Sequence, residues 1–306
     1  MGFKESLIEK LDGKIDSKLL EILPKGYQKI GDIIILSLND ELSGFHSVIG
    51  EAVLKMEKVR TVCVKTGGVT GELRKPQIKV IAGSEDTEVC HFENGVYFCF
   101  DIKKVMFAKG NVAERGRLPK QVKMDEVIVD MFVGIGYFTV PIAKLARPTK
   151  IYAIDLNPDS IKYLKKTLEK NKLKNSEQNI KFSSDHPNLK NGEKFGCVEV
   201  FEGDSKKIVE ELVDKGVKAD RVLLGYLPPP VESVQYAMKI VKRGGMIHYD
   251  DLIYSENDEK DIEKTMKMFE EEAIGAGFEG VELVNAQKVK SYRPKVDHYV
   301  LDIRIK

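Results

Sequence analysis

Tryptophan and long apolar runs are both missing from the 306-residue chain. Since no eighteen consecutive residues are apolar, the sequence predicts no transmembrane helix. The first residues, MGFKESLIEKLDGKID, are charged and lack the apolar segment of a signal peptide. A hydrophobic fraction of 42% with 32% charged residues is ordinary for a globular protein. We therefore expect a cytoplasmic protein with a buried core.

Cysteine is scarce. The four cysteines, Cys63, Cys90, Cys99 and Cys197, include no pair with CxxC spacing. Cys90, His91 and Cys99 are residue types that bind zinc, but their spacing is wrong for a structural zinc site. We expect no metal site and interpret the cysteines as buried thiols in strands.

A strong net charge is also missing, since the formal charge is only +1. The charges are nevertheless segregated. Lys55–Lys79 has seven basic and two acidic residues, Asp101–Lys123 has the same numbers, and Asp250–Glu282 has twelve acidic and three basic residues. This distribution predicts a basic surface of the kind that binds nucleic acid. The alternative is a set of solvated helix faces with no role in binding.

Residues 1–118 show the pattern of a small α+β domain. Apolar residues at helical spacing predict helices over Glu5–Ile22 and His46–Arg60. The β-rich stretches are Ile33–Leu38, Thr61–Val64, Gln77–Ala82, Glu88–Glu93 and Val96–Asp101. Asn94-Gly95 between the last two stretches predicts a tight hairpin.

Residues 119–306 show alternating strands and helices, which predicts a mostly parallel α/β sheet. The expected strands are Val127–Met131, Lys150–Asp155, Cys197–Glu202, Arg221–Leu224, Gly245–Tyr249, Val281–Val289 and Val296–Ile305. The expected helices are Phe138–Leu145, Pro158–Asn171, Ser205–Lys215, Val231–Lys242 and Glu259–Ala276. The last two strands resemble the antiparallel pair that ends the seven-stranded, Rossmann-like sheet of class I methyltransferases. We interpret residues 175–196 as an inserted loop.

A glycine-rich loop follows the first of these strands, in the segment DMFVGIGYFTVPIAK that begins at Asp130. Glycine lets the backbone approach a ligand closely, and the helix that follows offers free N–H donors. Thr139 stands where a dinucleotide site has its third glycine. Because Asp130 would repel a pyrophosphate, the pattern favours a cationic ligand such as S-adenosylmethionine, which carries a sulfonium and an ammonium.

Carboxylates end the next two parallel strands. Asp155 is placed to accept hydrogen bonds from ribose hydroxyls, and Asp204 to accept one from the adenine amino group. Either residue alone could be a helix N-cap. Together with the glycine loop, they predict a binding site for S-adenosyl-L-methionine.

Several segments resemble one family, the archaeal and eukaryotic enzymes that modify the purine at position 37 of tRNA. They are DMFVGIGYFTVPIAK, IYAIDLNPDSIKYLKKTLEKNKL, GGMIHY, VKSYRPKVDHYVLDIRI, IGDIIIL and KVMFAKGNVAER. The resemblance covers most of the chain from residue 30 onward. It implies a Rossmann-like catalytic domain over 119–306, with tRNA contact by the α+β domain over 1–118.

The family has two branches. One methylates N1 of guanosine, and the other transfers the 3-amino-3-carboxypropyl group of the same cofactor to a tricyclic guanine base. Methyl-transferring members carry Asn-Leu-Pro after the fourth strand, whereas this chain has Gly225-Tyr226-Leu227, which resembles the aminocarboxypropyl branch. We also expect no extra domain ahead of residue 30. The alternative is neutral loop drift within a methyltransferase.

The resemblance also implies roles for residues upstream of the glycine loop. Arg115 is similar to a residue that binds the methionyl carboxylate, and Glu114 to a proton acceptor, although a surface Glu–Arg pair would look the same. Ala108-Lys109 replaces an expected Ser-Pro-like pair, so Lys109 is assigned to the RNA or to the cofactor tail. The cofactor contacts we expect are Ala108, Lys109, Arg115, Asp130, Phe132, Gly134, Gly136, Asp155, Leu156, Asp204, Ser205, Gly225 and Tyr226.

The sequence thus predicts a tRNA aminocarboxypropyltransferase that uses S-adenosyl-L-methionine as co-substrate. We expect its partner to be tRNA, specifically the anticodon arm of tRNA(Phe), and not DNA or a membrane. The first alternative is a tRNA guanosine-37 N1-methyltransferase. The second is an RNA-binding scaffold with a degenerate cofactor pocket. His248 and His298, each in an apolar strand, are expected to be core histidines.

Overall fold

The computed structural model describes residues 2–71, 73–173 and 192–306. The chain divides into two compact units: Met1–Phe92 with Tyr97–Phe107, and Glu93–Val96 with Ala108–Lys306. Residues 108–118, which the sequence assigns to the first domain, therefore lie in the second unit. The assignment of tRNA contact to one domain and catalysis to the other stays a prediction.

The first unit is built from helices on a small mixed sheet. Its helices are α1 (Phe3–Leu11), α2 (Ser17–Glu21) and α3 (His46–Glu57), with a 3₁₀ turn over Asp40–Phe45. Its strands are β1 (Gln28–Ile30), β2 (Ile33–Leu36), β3 (Thr61–Lys65), β4 (Ile78–Gly83), β5 (Glu88–Glu93) and β6 (Val96–Asp101). The sheet order is β1-β2-β3-β4, and only the β2–β3 pair of this sheet is parallel.

The single helix predicted over Glu5–Ile22 is wrong, because two helices occupy this segment. Gly13 takes a positive φ of 70°, which ends the first helix. The Asp16 side chain then accepts a hydrogen bond from the Lys18 amide at 2.8 Å and caps α2. The apolar residues still share one side, since Leu7, Leu11, Ile15 and Leu20 are all buried in the same core.

The hairpin prediction is confirmed, because β5 and β6 have the expected bounds. Asn94 and Gly95 have φ values of 49° and 80°, as a two-residue turn with two left-handed positions requires. The turn places Phe92 opposite Tyr97 and Cys90 opposite Cys99.

The interpretation of all four cysteines as free thiols is wrong. Cys90 and Cys99 form a disulfide across the hairpin, because the two-residue turn brings them face to face. Cys63 and Cys197 are free, and Cys63 is buried as expected. Burial raises the pKa of the Cys63 thiol to about 11. Within the described ranges, no group of His, Cys, Asp and Glu side chains could hold a metal ion.

The second unit carries a larger sheet. Its helices are α4 (Val112–Arg117), α5 (Thr139–Pro141, continued by a π-helical turn over Ile142–Ala146), α6 (Pro158–Lys170), α7 (Ser205–Asp214), α8 (Val234–Ile240) and α9 (Asp258–Gly275). Its strands are β7 (Val127–Asp130), β8 (Lys150–Asp155), β9 (Glu193–Phe195), β10 (Val198–Glu202), β11 (Ala219–Leu224), β12 (Val241–Tyr254), β13 (Val281–Arg293) and β14 (Val296–Ile305). None of the described helices has the length and apolarity needed to cross a membrane.

The sheet order in the described residues is β13-β14-β12-β11-β7-β8-β10-β9. Neighbours from β12 to β10 pair in parallel, and the pairs β12–β14, β14–β13 and β10–β9 are antiparallel. This confirms the Rossmann-like class, with one strand more than the seven expected. The extra strand, β9, lies within the segment predicted to be a loop, so that prediction is wrong for Glu193–Phe195. It pairs with Val198–Val200, the first residues of β10. The remainder of the predicted loop, residues 174–191, lies outside the described residues.

Candidate active site

Four parallel strands, β11, β7, β8 and β10, end at the same edge of the sheet. The chain runs outward from β7 through β8 to β10 and then returns to β11 on the other side of β7. The loops after β7 and β11 therefore diverge and leave a crevice between them. Ligands of open α/β sheets bind at this kind of crevice.

The glycine loop after β7 has a shape that only glycine permits. Gly134 and Gly136 have φ values of 56° and 89°. A Cβ atom at Gly136 would lie 2.8 Å from Leu164 Cδ1 and would also clash with Val140. Glycine therefore lets the loop turn tightly against the helices behind it, while the ligand side stays backbone only.

Asp130 lies beneath this loop and is 1% exposed. Its Oδ2 accepts a hydrogen bond from Thr139 Oγ1 at 2.7 Å, and its Oδ1 accepts one from the Phe132 amide at 3.3 Å. Burial raises the pKa of Asp130 to about 7, against the opposing effect of these hydrogen bonds. A cation bound nearby would favour the ionised carboxylate, so the arrangement suits the cationic ligand predicted.

Asp155, at the end of β8, ties the glycine loop to the neighbouring strand. Its Oδ2 accepts from the Gly134 amide at 2.7 Å, and its Oδ1 accepts from the Asn157 amide at 2.8 Å. Burial raises the pKa of Asp155 to about 6. A carboxylate has about four acceptor positions, so two are left for ribose hydroxyls. Leu156 follows with its side chain 46% exposed and offers an apolar surface to a base.

Asp204 caps α7, since its Oδ1 accepts from the Lys206 amide at 2.9 Å. This is the N-cap geometry that was the alternative for a lone carboxylate. The cap uses one oxygen, which leaves the other for an amino group. Ser205, the first residue of α7, is buried.

Two aromatic rings line the crevice between the loops after β7 and β11. The rings of Phe132 and Tyr226 lie 5.2 Å apart between centroids. Gly225 precedes Tyr226, and a Cβ atom there would lie 3.0 Å from Cε2 of Phe138. A side chain at position 225 would thus crowd the Phe138 ring, so the packing of this loop favours glycine.

Arg115 is not directed at an open surface. It is 1% exposed, and its Nε and Nη2 donate to the two oxygens of Glu93 at 2.6 and 2.9 Å. Its Nη1 donates to the Ala108 carbonyl at 3.0 Å. The surface pair with Glu114, which was the alternative for Arg115, is not formed, and Arg115 instead forms a buried pair with Glu93. Lys109, next to Ala108, is exposed.

Glu114 is buried as well, at 2% exposure. Both of its oxygens accept hydrogen bonds from Arg117, at 2.6 and 2.7 Å. Arg117 also donates to both oxygens of Asp302, at 2.5 and 3.0 Å. Arg117 therefore holds Glu114 inside a cluster of carboxylates and not at an open surface.

A buried polar network continues from this pair, and the sequence analysis did not find it. His248 Nδ1 bonds Asp302 at 2.5 Å, and its Nε2 bonds Arg221, which also forms two bonds to Glu126. Burial lowers the pKa of His248. Burial alone would raise the pKa of Asp302, but the hydrogen bonds from His248 and Arg117 outweigh it and lower that pKa.

Both histidines are buried as predicted, although neither has purely apolar surroundings. His298 is 1% exposed, and its Nε2 lies 3.0 Å from Asp250 Oδ2. Such a pair could be predicted from the sequence if a histidine on one strand were known to face an aspartate on the antiparallel neighbouring strand. His248 is paired with Asp302 in the β12–β14 register, which the sequence alone does not specify.

Two family models match the chain from residue 7 to residue 194. Residues 89–194 match the TRM5/TYW2 methyltransferase domain, and residues 7–87 match the TYW2 N-terminal domain. A tRNA(Phe) (4-demethylwyosine(37)-C(7)) aminocarboxypropyltransferase of Pyrococcus horikoshii is 32% identical over 99% of this chain and 98% of the relative. The tRNA (guanine(37)-N(1))-methyltransferase Trm5b of Methanocaldococcus jannaschii is 31% identical over 99% of this chain and 77% of its own length.

Solved structures agree with these matches. The crystal structure of P. horikoshii TYW2 in complex with MeSAdo is 30% identical, covers 99% of both chains and has a TM-score of 0.77. Identity of 30% or more along nearly the full chain, together with matches to both domains, establishes common descent. The chain belongs to the TRM5/TYW2 family of S-adenosylmethionine-dependent tRNA-modifying enzymes and carries a TYW2-type N-terminal domain.

Proposed function

We propose that this chain transfers the 3-amino-3-carboxypropyl group of S-adenosylmethionine to C7 of 4-demethylwyosine at position 37 of tRNA(Phe). The observation that carries this proposal is the likeness, along nearly the full length of both chains, to the P. horikoshii aminocarboxypropyltransferase. Gly225-Tyr226-Leu227 after β11 supports the same branch. The site of action is the cytoplasm, where we place the protein as part of this proposal.

The crevice at the carboxyl edge fits S-adenosylmethionine. We assign the ribose to Asp155, the adenine to Leu156 with Asp204 and Ser205, and the cationic end to Asp130. Each assignment uses an acceptor or apolar surface at the end of a different parallel strand, so one extended ligand could reach all of them. The loop Phe132–Gly136 and the pair Gly225-Tyr226 would close the two sides.

The transfer is a single displacement at carbon. The nucleophilic C7 of the base forms a bond to the γ-carbon of the methionyl group, and the bond from that carbon to sulfur breaks. The electron pair goes to sulfur, which leaves as neutral 5′-methylthioadenosine, and the proton on C7 is then lost. Because the sulfonium has three carbons, the product depends on which carbon the protein holds in line with the nucleophile.

Direct roles for Arg115 and Glu114 require an exchange of partners. We assign Arg115 to the methionyl carboxylate, which would replace the Glu93 carboxylate in the same bidentate geometry. Glu114 would have to leave Arg117 before it could accept the proton of C7. Both assignments can be tested by removing the competing partner.

A second candidate is N1-methylation of guanosine 37, which the 31% identity to M. jannaschii Trm5b favours. A labelling experiment separates the two. One cofactor sample is labelled at the methionyl carboxyl carbon and another at the methyl carbon, and each is incubated with tRNA(Phe) that carries 4-demethylwyosine. We expect only the carboxyl label to enter the tRNA. Transfer of the methyl label to tRNA(Phe) with an unmodified guanosine 37 would instead support the second candidate.

The basic segments are the surface we assign to tRNA. Lys103 and Lys104 belong to the basic run Asp101–Lys123, and reversing both to Glu should weaken binding to any RNA. Reversing Lys260 and Lys264, which lie on the acidic helix α9, is the matched control. Equal weakening by the control pair would show that the assigned surface is wrong.

A further inference from the structure

The β5–β6 hairpin has two faces of different character. On one face, Phe98 and Phe100 are buried, and their rings contact Phe107 with centroids 5.5 and 5.1 Å apart. On the other face, Phe92 and Tyr97 are 57% and 37% exposed, and their rings contact each other at 4.8 Å. We call this second side the outer face of the hairpin.

The outer face is held rigidly. Side chains two positions apart on a strand share a face, so the Cys90–Cys99 disulfide lies on the same side as the Phe92–Tyr97 ring pair and next to it. The disulfide and the tight Asn94-Gly95 turn fix the two strands on either side of the rings. Rings mounted on a rigid hairpin lose little conformational entropy when a ligand binds to them.

An exposed ring pair needs an explanation that a single exposed residue does not. Phe92 is the one phenylalanine among the large exposed hydrophobic residues in the part of the chain that the structure describes. Single exposed apolar residues are ordinary on protein surfaces. Two aromatic rings in contact on an accessible strand pair form a surface of the kind on which unpaired nucleobases stack.

The charges around the turn favour RNA. Glu93, which follows Phe92, has both carboxylate oxygens bound by Arg115, so its charge is compensated. At the turn itself, the Lys144 ammonium donates to the Gly95 carbonyl at 2.9 Å. The carboxylates of the outer face, Glu88 and Asp101, lie at the opposite end of the hairpin from the turn. A phosphate backbone can therefore approach the rings from the turn end.

We propose that the Phe92–Tyr97 pair is a stacking platform for an unpaired nucleobase of the tRNA substrate. This inference rests on the proposed function, because it takes tRNA as the partner. Lys103 and Lys104 of the basic run Asp101–Lys123 follow β6 at the end of the hairpin opposite the turn, and they supply cations for phosphates farther along the same RNA. Arg115 and Arg117 of this run are held by carboxylates of the protein. Phosphate contacts hold the RNA without regard to sequence, whereas the rings would engage a base.

The absence of tryptophan from the chain makes a direct test possible. Phe92→Trp introduces a single indole into the platform, and Tyr254→Trp introduces one at a 53% exposed site of the acidic segment Asp250–Glu282 as a matched control. Each variant is titrated with a tRNA(Phe) transcript and with its isolated anticodon arm. We expect RNA to quench the indole at position 92 and to leave the indole at position 254 unchanged.

Affinity measurements give a second readout that does not depend on the introduced indole. The Phe92→Ala/Tyr97→Ala variant should bind the transcript roughly tenfold more weakly, which corresponds to about 1.4 kcal/mol. The slope of log affinity against log salt should stay the same, because no phosphate contact is lost. Both side chains are exposed, so the thermal unfolding curve and the affinity for S-adenosylmethionine should also be unchanged.

Several outcomes would overturn the platform. If tRNA binds and is modified while the indole at position 92 reports nothing, the platform is wrong and the proposed function stands. Quenching at both positions would show non-specific contact. If the alanine variant instead turns an oligomer into a monomer with normal tRNA affinity, the outer face is a protein interface. A parent chain that binds no tRNA would overturn both the platform and the proposed function.

Discussion

Replacing Asp155 should strongly reduce binding of S-adenosylmethionine. The carboxylate holds the Gly134 amide at 2.7 Å and the Asn157 amide at 2.8 Å, and we assign its remaining acceptor positions to the ribose. Asp155→Ala removes the ribose contacts and leaves two backbone donors without their acceptor. Hydrogen bonds to a charged group contribute about 1.5–3 kcal/mol. Affinity should therefore fall by roughly tenfold to more than a hundredfold.

Titration calorimetry with S-adenosylmethionine measures this loss directly. Asp155→Asn keeps the size of the side chain but replaces one acceptor oxygen with a donor, so its affinity should also fall. Asp214→Ala is the matched control, because Asp214 is an exposed carboxylate in the last turn of α7. Circular dichroism confirms that each variant is folded. Unchanged affinity of a folded Asp155→Ala variant would refute the placement of the ligand at the end of β8.

Three further predictions concern residues that we assign to the binding of S-adenosylmethionine. Burial raises the pKa of Asp130 to about 7, so affinity for the cationic substrate should fall as the pH drops below 7. Asp130→Asn should lose this decrease and keep only the one that begins near pH 6, where Asp155 takes up its proton. The same raised pKa of Asp130 means that the free energy of unfolding should decrease as the pH rises from about 4 to about 7, relative to Asp130→Asn. Arg115→Ala leaves the buried carboxylate of Glu93 unpaired and should destabilise the fold by about 3–5 kcal/mol. If Arg115 also binds the methionyl carboxylate, adding Glu93→Gln to this variant should restore the melting temperature but not the transfer rate. Arg115→Lys should rescue the transfer rate poorly. Gly225→Asn should slow transfer, and it should lower stability by about 1 kcal/mol because its side chain crowds Phe138. Gly225→Ala is the control, and it should show only the effect of crowding. Single-turnover kinetics measures the transfer rate of both variants.

Local patterns predict much of this fold because their physical causes are local. Asn94-Gly95 favours two left-handed residues, and the hairpin forms at that point with the expected strand bounds. The alternation of strands and helices after residue 119 predicts the parallel sheet, since parallel neighbours need crossovers. The ends of β7, β8 and β10 carry Asp130, Asp155 and Asp204, so the polar edge of the sheet can also be predicted from the sequence.

Contacts between distant segments are less predictable. The network from Glu114 to Arg221 depends on the register of β12 against β14 and on the packing of α4. Neither the register nor the packing can be predicted from the local sequence. Arg115 looks the same in sequence whether its partner is a ligand carboxylate or Glu93. The Cys90–Cys99 pairing, by contrast, follows from a local signal, because the Asn94-Gly95 turn places the two cysteines opposite each other.

The identity of the small product tests the central claim most directly. The chain is incubated with S-adenosylmethionine and tRNA(Phe) that carries 4-demethylwyosine, and the released nucleoside is identified by mass spectrometry. Since C7 attacks the γ-carbon of the methionyl group, we expect 5′-methylthioadenosine in an amount equal to the modified tRNA. Release of S-adenosylhomocysteine with methylated guanosine would contradict the assignment to the aminocarboxypropyl branch.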